Sequence, residues 1–328
     1  MNMRKLLLIS VAALFLTGCI QQPKAEKQLT PQEQIIENIV RTSFPDKVWK
    51  VQLDESANML QAFQQAIDSC SYYGGGMVKV ASGVYPLNGP LKLKSNVNLH
   101  LEEGAYLQFS GRADDFLPVV LTRWEGTELY GHSPMVYAYH CTNIAITGKG
   151  TIDAQGGKEF APWSTQEAPD RDRLREMGDK LTPVEERIYD GRKGGEVFLP
   201  TFFGPINCKK VFLEGVKFEQ GFFWNIAPVY CEEVIIRGVE VESVGIPRGD
   251  GVDITCCKNV LIEYSTMGCG DDNFAMKGGR NEYGEAIGRA SENIVMRHCL
   301  TLRGHGGITC GSETAGWIRN LYTHDCVF

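Results

Sequence analysis

The sequence predicts an all-β fold, a parallel β-helix closed at its N-terminal end by a capping helix. Two observations predict it: a strand pattern recurring along the chain and an amphipathic helical segment placed before the repeats. The repeat is visible in CTNIAITGKGTID (141–153), CKKVFLEGVKFEQ (208–220), CEEVIIRGVEVES (231–243), CKNVLIEYSTMGC (257–269) and SENIVMRHCLTLR (291–303), then in NLYTHDCVF from Asn320. Each unit opens with Cys or Ser and two polar residues and continues as a strand of alternating character. Its anchors are Ile144, Val211, Val234, Val260, Ile294 and Leu321, with successive spacings of 67, 23, 26, 34 and 27 residues. A period in the twenties, lengthened by insertions, is that of stacked coils, because each unit exposes an apolar face that only a neighbouring coil covers.

The first element is MNMRKLLLISVAALFLTGC, in which Arg4 and Lys5 precede an apolar run from Leu6 to Leu16. The run is too short to span a bilayer and reads as an export signal. Leu16-Thr17-Gly18-Cys19 looks like a bacterial lipobox, so residues 1–18 are expected to be a lipoprotein signal peptide and Cys19 the lipidated residue. An ordinary signal peptide that carries a cysteine is the alternative. Residues 19–45 are expected to form a lipid-anchored tether and linker, rich in Gln, Lys, Glu and Pro up to about residue 34, and residues 46–328 a single domain. These readings place the protein in the cell envelope, in the periplasm or at the outer membrane, touching the membrane by its lipid anchor only. A formal charge of −7 argues against nucleic acid as a partner but leaves room for an anionic substrate in a locally basic cleft. A monomer is expected.

Ser56 opens SANMLQAFQQAIDSC, which sets Met59, Leu60, Phe63, Ile67 and Cys70 on one helical face and supplies the expected cap. Strands and turns then alternate from Tyr72 to Phe109. Between Gln155 and Leu199 a charged segment interrupts the repeat, with a helical centre near Arg171–Met177, and is expected to wall a cleft. The chain has 11 cysteines and no zinc-type CxxC pair. Cys141, Cys208, Cys231 and Cys257 fall at equivalent coil positions, where they are expected to stack as small buried hydrophobes.

One turn of the coil carries the chemistry. Gly249-Asp250-Gly251, Gly270-Asp271-Asp272 and Gly304-His305-Gly306 follow successive anchors, Gly270 and Gly304 each by ten residues. Asp271 and His305 are therefore expected side by side, while Gly249 comes five residues late, with Val244–Arg248 as the extension. Strands about 4.8 Å apart would make these groups a patch about two strand spacings tall, the size of a sugar ring. Hydrolysis of a glycosidic bond needs one carboxylic acid for the leaving oxygen and one carboxylate for water or for direct attack, and crowded carboxylates raise the proton affinity of at least one member. Asx-type capping of the turn is the alternative for Asp250, and an inward structural role is expected for Asp253. Calcium held by Asp250, Asp271 and Asp272 is a further alternative, into which His305 fits poorly.

GDGVD, GDDNFAMKGGR and GHGGITCGSE together resemble the successive signatures of glycoside hydrolase family 28, the polygalacturonase-type pectin hydrolases, and the likeness extends through RWEG (123–126), ITGKGTIDAQG and FWNIAPVYCEEVIIRGVEV. The resemblance implies a right-handed, single-stranded parallel β-helix that cleaves α-1,4-galacturonosyl linkages of pectin with inversion and with no cofactor or metal. It implies Asp271 as the general acid, Asp250 and Asp272 as the groups that position and deprotonate water, and His305 as the residue that tunes the acid. Lys277 and Arg280 are the candidates to meet a substrate carboxylate, with a solvated surface charge as the alternative for each. Inversion implies acid and base carboxyls about 6.5–9.5 Å apart. The insertions at roughly 110–135 and 155–200 are expected to block one end of the cleft and make attack exo.

Two departures from the family pattern bear on these expectations. Arg248-Gly249-Asp250 stands where the family usually reads Asn-Thr-Asp. The sequence also stops in mid-repeat at Phe328, before the coil that in the family carries a basic Arg-Ile-Lys motif, so C-terminal coils are expected to be missing. The rival readings are an inactive fragment, a non-catalytic pectin-binding protein, a rhamnogalacturonan hydrolase and a calcium-dependent β-helical lyase.

Overall fold

The computed structural model describes residues 28–54, 58–156, 159–191 and 197–328. The apolar N-terminal run, Cys19 and Ser56 lie outside the described residues. Every coil anchor falls in one ladder: Ile144 pairs with Val211, Val211 with Val234, Val234 with Val260, Val260 with Ile294 and Ile294 with Leu321. They belong to a nine-stranded parallel sheet that runs from Val48–Val51 to Ile318–His324. A seven-stranded parallel sheet forms the second face. The third face begins with Leu91–Lys92, Val136–Tyr139 and Phe203–Ile206, crosses single bridges at Ile226 and Val229, and continues through Val252–Thr255, Phe274–Lys277 and Ile308–Cys310. The chain is thus a right-handed parallel β-helix, as expected.

Two features of the repeat explain how the coils close. The second polar residue after each opening Cys or Ser takes a left-handed backbone conformation, at Asn143, Lys210, Glu233, Asn259, Asn293 and Asn320. Asparagine tolerates that region best among residues with a side chain. Its amide also donates to the coil before: Asn259 to Glu233, Asn293 to Asn259 and Asn320 to Asn293. The opening cysteines are buried, as expected, and free. The Cys231 thiol donates to the Pro205 carbonyl at 3.4 Å and the Cys257 thiol to Pro228 at 3.3 Å, so each also bridges to an earlier coil.

The helix spans Met59–Tyr72 with Asn58 as its N-cap, accepting from the Gln61 amide. It buries Met59, Phe63, Ile67 and Cys70 against the first coils. An upstream segment follows a different course. A short helix, Pro31–Asn38, and the residues after it lie along the outer face of the nine-stranded sheet, with Ile39 against Ile235, Leu261 and Val295. The Val40 amide donates to Glu233, and Ser43 and Asn143 exchange hydrogen bonds, before the chain enters the first strand at Val48. A cavity of ≈910 Å³ lies along this segment, away from the acids of the third face.

Two additions rise over the third face. One is an antiparallel hairpin, Val120–Trp124 with Thr127–Gly131, turned by Glu125 and Gly126, both at positive φ as a two-residue type I′ turn requires. The other contains the helix Ala168–Asp179, longer at both ends than the expected centre at 171–177. Buried Arg123 donates to the Tyr230 hydroxyl, and Tyr283 donates to Glu128, rooting the hairpin on the coils.

Candidate active site

The register places the acids. Val252 pairs with Phe274 and Phe274 with Ile308, so Asp271 lies level with His305, as expected. Asp250 lies level with Asp272, and Gly249 with Asp271. This corrects the expected alignment by one residue. The offset between these coils is 22 on the third face and 26 on the nine-stranded sheet, so the extension is four residues, not five. It folds back over the next coil: a Cβ on Gly270 would stand 2.1 Å from the Ile246 carbonyl oxygen, which explains glycine before Asp271. Asn225, fully buried, holds the coil from the other side, donating through its backbone and side-chain amides to the Asp250 carbonyl at 3.0 and 2.8 Å.

Asp250, Asp271 and Asp272 converge, each offering an oxygen within 4.8 Å of the others. Asp250 is 3% exposed, and its Oδ1 has no hydrogen-bond partner. Burial first, then the charges of Asp271 and Asp272, push its pKa up to about 7 against the opposing pull of Lys277. Asp250 is therefore about half protonated at neutrality. His305 Nδ1 lies 3.2 Å from Asp271 Oδ1 and is largely exposed at the rim. The three acids project from two adjacent coils into one narrow space.

Lys277 and Arg280 both line the cavity with the acids, ≈470 Å³ in volume. Neither is a solvated surface charge. Lys277 is buried in the floor, 3.6 Å from Asp253 and 3.4 Å from Glu313, donating to the Gly311 carbonyl, with its ammonium 4.6 Å from the Trp224 ring centre. Burial opposes its charge, but Asp253, Glu313 and Asp250 outweigh that and hold it protonated. Asp253 is fully buried, as expected, and burial followed by Asp250 raises its pKa well above the ordinary value. Arg280 lies 3.7 Å from Glu313 and 3.9 Å from Glu125, and its Nε donates to the Glu125 carbonyl. Three acids plus a buried lysine suit proton sharing better than capture of a hard cation, since the lysine already supplies local positive charge.

Sequence reasoning missed Glu125, Glu313 and Trp224 as members of the site. All three stand in stretches that carry the family likeness, RWEG, GHGGITCGSE and FWNIAP, but their contacts cross more than one coil and no local spacing reveals them.

Comparison with known proteins agrees with this geometry. The model of Glycosyl hydrolases family 28 matches residues 191–326, the part that holds every candidate catalytic residue. The crystal structure of a hyperthermoactive exopolygalacturonase from Thermotoga maritima is similar at 37% identity and a TM-score of 0.85, covering 91% of this chain and 70% of that one. A probable polygalacturonase of Vitis vinifera is 26% identical over 81% of this chain and 51% of its own length. An endo-polygalacturonase of Pectobacterium carotovorum subsp. carotovorum is 27% identical over 83% of this chain and 62% of its own. The chain thus spans about half to three-fifths of these two curated relatives.

Proposed function

Since the chain belongs to glycosyl hydrolases family 28, we propose that it is a polygalacturonase-type glycosidase acting on α-1,4-galacturonosyl linkages of pectin. The observation that carries this reading is the convergence of Asp250, Asp271 and Asp272 in one cavity, where burial raises the Asp250 pKa toward neutrality. Asp271, whose register neighbour is His305, is the general acid: the proton shared with Asp250 passes through it to the glycosidic oxygen as the bond from that oxygen to the anomeric carbon breaks. Asp250 and Asp272, level in adjacent coils, hold the water. This level pair takes the proton of the water as the new carbon–oxygen bond forms, so the acids regain the proton they gave.

Attack is proposed to be exo. The hairpin tip and the helix Ala168–Asp179 stand over one end of the acid cavity, a support for this mode that the coils alone would lack. The test is new reducing ends released from polygalacturonate, with products sized by mass and Asp271→Asn beside the wild type. Turnover by the wild type alone supports the hydrolase, whereas binding without turnover in both overturns it. Unsaturated, ultraviolet-absorbing products would replace it with a lyase. On the pattern around Cys19 the enzyme is proposed to be an exported lipoprotein, for which metabolic lipid labelling lost in Cys19→Ser is the check.

A further inference from the structure

A second cavity of ≈420 Å³ abuts the one that holds the acids, and the two share Glu125, Arg175 and Arg248 in their walls. These three side chains come from separate elements. Glu125 is the hairpin tip, Arg175 belongs to the helix Ala168–Asp179, and Arg248 is the residue that departs from the family pattern beside Asp250. Arg175 Nη2 meets Glu125 Oε2 at 2.8 Å and Arg248 Nη1 meets Glu125 Oε1 at 3.5 Å.

The arrangement is braced from behind. Arg248 also pairs with buried Glu167 and donates to the Ser164 carbonyl, and its guanidinium lies 5.8 and 5.6 Å from the Trp124 and Phe223 ring centres. Side chains fixed by packing, ring faces and charge on several sides form a stiff wall, whereas a lone surface pair would yield.

We propose that the Arg175–Glu125–Arg248 ion-pair partition is the specificity determinant that ends the sugar-binding cleft, so that one terminal uronate fills the cavity at the acids and no further sugar extends past it. This inference rests on the exo reading above. Glu125 has a particular place in it, because its carboxylate occupies the arginines that would otherwise receive the carboxylate of a next uronate. Removing it joins the two cavities and leaves Arg175 free to pair with that next sugar, while Arg248 stays held by Glu167.

The experiment is the length of the first product released from a defined oligogalacturonate, read by mass, for the wild type, Glu125→Ala and Glu125→Asp. The expected result is monomer from the wild type and from Glu125→Asp, and a shift to dimer and longer products from Glu125→Ala, with KM falling for longer substrates. Monomer as the sole product of folded Glu125→Ala, at unchanged KM, overturns the partition while leaving exo attack intact. A ladder of long products from the wild type overturns the exo reading itself. If Glu125→Ala is recovered unfolded, Glu125→Gln, which keeps the size of the side chain and removes the charge that holds Arg175, is read for product length in the same way.

Discussion

The Lys277 ammonium stands 3.6 Å from the Asp253 carboxylate, on the paired strands that follow Asp272 and Asp250 in the same two coils. Both side chains are buried, and the lysine reaches Glu313 on its other side. A cation fixed there sets the charge of the whole floor, since it opposes the rise in the Asp250 pKa.

Lys277→Met is expected to destabilise the fold by about 3–5 kcal/mol, the usual cost of leaving buried acids without their cation. Thermal unfolding measures it. Adding Asp253→Asn to Lys277→Met should restore part of the loss, and a double variant no more stable than the single would show that the pair does not act through charge.

Asp250 makes stability and activity pull in opposite directions. Its pKa is raised in the fold from an ordinary value of 3.8 to about 7, so the folded state binds more protons than the unfolded one between those values. Stability from this group is therefore full below pH 4 and is lost as pH rises through 7. Asp250→Asn, which cannot ionise, is expected to be more stable than the wild type above pH 7, by up to about 4 kcal/mol for a shift of roughly three units, while losing activity through weaker placement of water. Chemical denaturation at pH 5 and pH 8 tests the sign, and a variant less stable at both would refute it.

The pH profile of kcat/KM carries a related expectation. With the acids required to hold their shared proton at the start of the cycle, activity should decline as pH rises through about 7, and this limb should be absent in Asp250→Asn. Activity that climbs through pH 7 would instead show that the acids work with Asp250 already ionised.

His305 is exposed at the rim and touches Asp271 through one contact. His305→Asn is expected to lower kcat by about 10- to 100-fold with little change in thermal midpoint, at the lower end of general acid–base effects. Asp271→Asn should lower it by at least about 10³-fold, and equal losses in the two variants would contradict the division of labour proposed for them.

Stereochemistry separates the two carboxylate mechanisms. Family likeness implies inversion, with water attacking directly and no covalent intermediate. Inversion is expected here, because the level pair Asp250 and Asp272 is placed to hold water. Proton NMR of the first-formed anomer settles it, and a retained anomer would make one of the acids a nucleophile.

The repeats were legible in the sequence because a coil is a local object: anchors such as Val234 and Val260 pair as their spacing implies. Asp271 beside His305 was legible for the same reason. The one-residue error at Asp250 arose where the extension Val244–Arg248 lies between anchor and site, since nothing in a count of residues says where the surplus bulges out. The partners of Arg280 and Lys277 were hidden for another reason. Glu125 is 155 residues away from Arg280 along the chain, and the contact exists because Arg123, far from the chemistry, is buried against Tyr230.

The segment around Ile39 and Val40 has a kinetic consequence. A solenoid with contacts between neighbours alone can nucleate anywhere and fray from either end. Here the Val40 amide is bonded to Glu233 across 193 residues of chain, so the capping region and the later coils share one closure. Forming so long a loop slows folding, because its entropy is lost before the contact is gained. Once closed, it binds distant coils into one cooperative unit, and partial unravelling gives way to a single transition.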